Sequence, residues 1–182
     1  MKISTTQILK ILHVISWIIF TGVCIEAGGF IFNALLRLVI DPANAKYLWQ
    51  EVDLSALYKF DHGYFYVESF HISMVAVLRA YLFYVIVKFL YSKQLNMSHP
   101  FNKEVGHFIS TLSYIALAIG LFSWWGVEYT AWLAQKGVQM PTIENLRLGG
   151  ADVWLFMGVT LFVIAQIFKR GIEIQTENEL TV

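Results

Sequence analysis

Residues 8–38 read ILKILHVISWIIFTGVCIEAGGFIFNALLRL, with Lys10, Glu26 and Arg37 as the only formal charges. A hydrocarbon core about 30 Å thick is crossed by about 20 helical residues, so this stretch is long enough to span a bilayer. Three more stretches of the same kind follow, at residues 64–91, 105–134 and 151–168. Together they take up well over half of a 182-residue chain, and no soluble core of that size could enclose four such segments. The expected fold class is all-α. It is a single polytopic membrane domain over residues 1–182, with four transmembrane helices in an antiparallel bundle and short outer amphipathic helices.

Composition agrees. The chain is 57% hydrophobic, 14% charged and 16% aromatic, and its formal net charge is zero. These values lie on the membrane side of the soluble norm, and the zero balance gives no reason to expect direct nucleic-acid binding. The single cysteine, Cys24, has no partner for an internal disulfide and reads as a small packing residue. The apolar run after MKISTTQILK is longer than a signal-peptide core, so the first span is expected to be retained.

Lys2 and Lys10 precede the first span, Lys88, Lys93 and Lys103 flank the second connection, and Lys169-Arg170 follow the fourth span. The first and third connections hold Asp41, Glu51, Asp53, Asp61 and Glu144 among more dilute basic residues. The positive-inside rule then places both termini and the second connection in the cytoplasm, with residues 169–182 as a cytoplasmic tail. In the first outer connection, Asp41-Pro42 reads as an N-cap and first helical position, so residues 43–52 are expected to form a short helix on the membrane surface. Asp53 is expected to cap a second turn at 54–60, and Asp61-His62-Gly63 to interrupt the chain. Gly137 marks a helix stop, and Trp124, Trp125 and Trp154 fit an interfacial belt. Gly22, Ala27-Gly28-Gly29, Ala116, Ala118, Gly120 and Gly158 are expected to allow close helix approach, without a strict dimer motif; a homo-oligomer stays open.

Ionisable residues inside spans are costly, which makes each a candidate for function. Glu26 is mid-span in the first helix, Glu68 and His71 are three apart and share a face of the second, Arg79 is two turns further on, and Asp152 opens the fourth. At about 1.5 Å per residue, Glu26, Glu68, His71 and Asp152 fall in the outer half, and Arg79 lies roughly 10 Å deeper than Glu26. Two readings follow. These side chains are hydrogen-bonded structural polars, with Arg79 neutralising a carboxylate, or they form a ligand or ion site. Carboxylate plus imidazole suits a proton, a cation or a transition metal, with Glu26 and His71 as the metal-ligand candidates. A b-type haem needs two facing histidines at one depth, and His13 and His107 are the only pair on the cytoplasmic side. His107 is nearly interfacial, which disfavours haem. No cofactor is called for, and no phosphate loop, nucleophile elbow or paired-cysteine motif points to an enzyme.

The inner loop reads SKQLNMSHPFNKEVGHF, with Pro100 ending one helix and Asn102 placed to cap the next. The chain closes with IFKRGIEIQTENELTV, in which residues 172–182 alternate apolar and polar positions like a strand-like peptide or a frayed end. Pro100-Phe101 with the following polar-plus-Glu turn, together with Glu177-Asn178-Glu179-Leu180-Thr181-Val182, resembles the bacterial domain of unknown function 2975 family. Glu179 stands where that family's tail usually has Asp. The resemblance implies a four-span protein of the bacterial inner membrane with no catalytic residues, often encoded beside a small helix-turn-helix regulator. The leading expectation is therefore a non-enzymatic regulatory or sensory membrane protein. Pro100, Phe101, Glu177, Asn178, Leu180 and Val182 would contact the regulator. The alternative is a small transporter or ion-binding protein using Glu26, Glu68 and His71.

Overall fold

The computed structural model describes residues 5–39, 52–92 and 102–179, and all the regular structure in them is helical. There are five helices: α1 (Thr5–Val39), α2 (Ser55–Phe60), α3 (His62–Tyr91), α4 (Lys103–Gln135) and α5 (Ala151–Glu179). Four of them, α1, α3, α4 and α5, are long and apolar enough to cross a bilayer. The expected short helix at 43–52, apart from Val52, lies outside the described residues with Tyr47, Leu48 and Trp49, as do Pro100, Phe101, Leu180 and Val182.

Side-chain caps set two of the starts. Asp61 Oδ1 accepts from the Tyr64 amide at 3.0 Å, and Asn102 Oδ1 from the Val105 amide at 2.8 Å. Each supplies an acceptor to an amide that the helix itself leaves unpaired. The chain break expected at residues 61–63 is thus a cap, and α3 begins at His62. α4 ends in a Schellman turn. Val138 donates to the Leu133 carbonyl at 3.3 Å and Gly137 to that of Ala134 at 3.0 Å, with Gly137 at φ 85°. Val138 and Leu133, which this turn brings together, are both buried.

Helices adjacent in sequence are adjacent in space. α1 packs on α3, α3 on α4 and α4 on α5, and α2 sits against α3. In the apolar windows of α3 and α4, 28% and 33% of positions are buried, against 6% in α1 and 11% in α5. The middle pair therefore forms the core, and the flanking helices turn most of their surface outward to lipid. Successive spans run antiparallel, so the start of α1 and the end of α5 lie on one side, the terminal face, while α2 and the α4–α5 connection lie on the other, the loop face.

The α4–α5 seam is the closest. A Cβ added at Gly120 would lie 2.7 Å from Leu155 Cγ, and one added at Gly158 would lie 2.7 Å from Leu117 Cγ. Each glycine is thus the hole for the leucine of the facing helix, and Ser113 Oγ adds a 2.9 Å bond to the Gly158 carbonyl. Of the α1 positions expected to allow close approach, Ala27 and Gly29 are buried, whereas among the described residues nothing lies within 4 Å of a Cβ at Gly22 or Gly28. Cys24 is exposed as well, with no helix against this face of α1 among the described residues.

One further finding concerns the first connection, and one correction the tail. The second turn expected at 54–60 forms as α2, with Asp53 Oδ1 accepting from the Ser55 amide at 2.9 Å, and the structure adds that Leu54 and Leu57 are fully buried beneath the loop face. The tail is not strand-like. α5 continues past Phe168 to Glu179, with Arg170 bonded to Glu173 at 2.9 Å on the turn after the apolar run. Alternating polarity at 172–179 lost to the helix already propagating through Lys169-Arg170-Gly171.

Candidate functional site: a buried carboxyl and imidazole

Glu68 and His71 lie one turn apart on the face of α3 that meets α4. Glu68 is fully buried, and its Oε1 is 2.6 Å from the Thr130 hydroxyl of α4. The same hydroxyl lies 2.8 Å from the Gly126 carbonyl one turn back. Threonine has one hydroxyl proton, so it cannot donate to both oxygens at once. The chain is complete when Glu68 brings a proton of its own: the carboxyl donates to Thr130 Oγ1, and Thr130 donates to Gly126.

The other carboxyl oxygen is open. Among the described residues Glu68 Oε2 and His71 Nδ1 are both buried without a hydrogen-bond partner, and they face each other across 3.8 Å. That gap is too long for a hydrogen bond. The Val67 carbonyl, four residues before His71, also approaches the ring. Glycine at 126 makes room for the arrangement. A Cβ there would lie 2.8 Å from Leu148 Cδ1 and 3.3 Å from His71 Cβ.

Aromatic residues close the site towards the loop face. The Tyr129 ring is 5.6 Å from that of His71 and stacks at 5.5 Å on Trp132. Lys136 Nζ sits 3.8 Å over Trp132 and donates to Tyr64 Oη at 3.3 Å. A cation over an indole face is attracted by the ring quadrupole, which anchors this stack.

Glu26 belongs to a second group. Its Oε1 is 3.2 Å from Arg147 Nε, which ties α1 to the α4–α5 connection. Arg79 lies with its guanidinium 5.8 Å from the Trp154 ring, within electrostatic range of both Glu26 and Arg147. Among the described residues Arg79 makes no ion pair with Glu26, and its Nε is buried without a hydrogen-bond partner. Asp152 is exposed in the first turn of α5, where a carboxylate complements the helix dipole. The expected group of Glu26, Glu68, His71 and Asp152 divides accordingly: Glu68 and His71 together, Glu26 with Arg147, and Asp152 on the surface.

Arg147 holds an unusual backbone. It has φ 58° and stands where Gly137 stands in the other turn, with Leu148 donating to the Ile143 carbonyl at 3.2 Å. A non-glycine residue there costs about 1 kcal/mol, and a half-exposed ion pair returns about 0.2–1 kcal/mol. Arg147→Gly is therefore expected to unfold thermally close to wild type. Arg147→Ala, which loses the pair and keeps the strain, should be less stable than Arg147→Gly by about 1 kcal/mol. Equal melting of the two variants would contradict this.

Sequence reasoning missed Thr130, Gly126 and Tyr129. The signal was the stripe Ser113, Ala116, Gly120, Ser123, Gly126 and Thr130, spaced by three or four and buried throughout. The histidines proposed for haem face different seams. His13 stacks on Tyr91 of α3 at 6.3 Å, and exposed His107 lines the groove between α4 and α5. Among the described residues no three His, Cys, Asp or Glu side chains gather where they could hold a metal. Of the tail residues, Glu177 is exposed on α5 and Asn178 is in the last turn of that helix.

No curated protein and no solved structure shows significant similarity to the chain. Its residues 49–182 match the family described as "Protein of unknown function (DUF2975)", the family anticipated from the inner loop and tail, and the chain belongs to that family.

Proposed function

We propose that this chain is a non-enzymatic membrane regulator: its loop-face site takes up a proton or small cation, and its terminal face holds a small helix-turn-helix transcription regulator. The observation that carries this reading is the Glu68–His71 pair. A fully buried carboxyl oxygen and an imidazole nitrogen left unpaired are expensive in a membrane protein, and such groups persist where they serve a ligand. In this reading the terminal face is cytoplasmic, in the inner membrane of a bacterium. The basic residues Lys10, Lys88, Lys103, Lys169 and Arg170 on that face support the orientation. The end of α5, helical to Glu179, would offer the regulator a helical surface. Residues Pro100 and Phe101 of the inner loop, with Glu177, Asn178, Leu180 and Val182, are the contacts we assign to it.

Affinity purification of the full chain from native membranes tests the partner. A small DNA-binding protein is expected to accompany it and to be lost when residues 177–182 are deleted. Recovery of no such protein, or equal recovery with the deletion, counts against the reading.

A further inference from the structure

At the terminal end of the α4–α5 seam the two helices part around a cavity of about 330 Å³. Lys103, Gly106, His107 and Ser110 line it from α4; Ala165, Lys169, Ile172 and Glu173 line it from α5. Lys103 and Lys169 face it from different helices, and no carboxylate among the described residues holds either of them. The only acid in the wall, Glu173, is bonded to Arg170 at 2.9 Å. The cavity therefore has an uncompensated positive rim. Its floor is apolar: Ala165 is buried, and Ile172 Cδ1 lies 3.5 Å from where a Cβ on Gly106 would be.

Its level in the bilayer selects the ligand. The apolar run of α5 ends at Phe168, so Lys169 marks the boundary between acyl chains and headgroups. We infer that this cavity binds the phosphate headgroup of an anionic phospholipid, with Lys103 and Lys169 on the phosphate, the acyl chains running past Ala165 towards the membrane interior, and Ile172 closing the headgroup end against Gly106. Two cations pointing at one opening between spans, above an apolar wall, match that ligand in charge and polarity. A free phosphate ion would use the lysines and leave the apolar wall without a role. The site does not depend on the partner reading.

The test is native mass spectrometry of the full chain in neutral detergent. Phosphatidylglycerol, phosphatidylcholine and inorganic phosphate are added separately. Phosphatidylglycerol should be retained, and phosphatidylcholine and inorganic phosphate should not. The Lys103→Gln/Lys169→Gln variant should bind phosphatidylglycerol roughly thirtyfold more weakly, and Lys103→Arg/Lys169→Arg should bind it like wild type. If the double glutamine variant does not fold, Gly106→Val fills the cavity with both charges kept, and it should lose the lipid too. Equal retention of both lipids, binding that survives the glutamine or valine changes, or inorganic phosphate bound as well as the lipid would each overturn the assignment.

Discussion

Gly158→Ala is expected to destabilise the protein by about 1–3 kcal/mol, although alanine is the better helix former. The added Cβ would lie 2.7 Å from Leu117 Cγ and 2.9 Å from the Leu117 backbone nitrogen. Rotating Leu117 relieves the first overlap and not the second, so α5 must move away from α4. That movement also stretches the Ser113–Gly158 bond, worth about 1 kcal/mol where the donor is left buried. Gly120→Ala meets the backbone nitrogen of Leu155 at 3.0 Å and should behave alike. Gly22→Ala and Gly28→Ala are the controls. Among the described residues nothing surrounds either position within 4 Å, so the helix-propensity gain of up to about 1 kcal/mol is unopposed. Unfolding the four variants in mixed detergent should lower stability for the α4 and α5 changes and hold or raise it for the α1 pair. Equal responses from the two pairs would mean that the α4–α5 seam is not the close contact described.

Glu68→Ala is expected to cost about 2–4 kcal/mol, the range for a cavity opened by truncating a fully buried side chain. Glu68→Gln separates this packing effect from charge. A glutamine amide can donate to Thr130 Oγ1 as the protonated carboxyl does, leaving the Thr130–Gly126 bond intact. It should therefore stay within about 1 kcal/mol of wild type. If Gln proved as damaging as Ala, the site would need a charged carboxylate facing His71, and the proton assignment would be wrong. Equilibrium unfolding of the three proteins side by side reads the difference.

The spans were legible because lipid imposes a simple demand: about 20 apolar residues in a row. Asp61 and Asn102 were legible as helix boundaries for the same local reason, a short polar side chain next to unpaired amides. The Glu68–His71 pair could be read from a spacing of three inside an apolar run. What escaped was everything set by distant contacts. Glu26 finds its partner in Arg147, on a connection whose course is fixed by the burial of Leu146 and Leu148 under the loop face. Gly22 and Gly28 of α1 looked like the glycines of α4 and α5, and only the neighbouring helix tells them apart. The end of α5 was misread because its apolar run stops at Phe168 while its backbone hydrogen bonding does not.

The proposed reading joins a proton or cation site at Glu68 to a regulator held on the terminal face, and it predicts that occupancy of the first alters what the second holds. The direct measurement is the amount of small DNA-binding protein recovered with the tagged chain from native membranes, for wild type and for Glu68→Gln. The glutamine variant keeps the fold but cannot exchange a proton at that position. A several-fold change in recovery at equal chain abundance is the expected result. Equal recovery from both, or recovery from neither, would contradict the account.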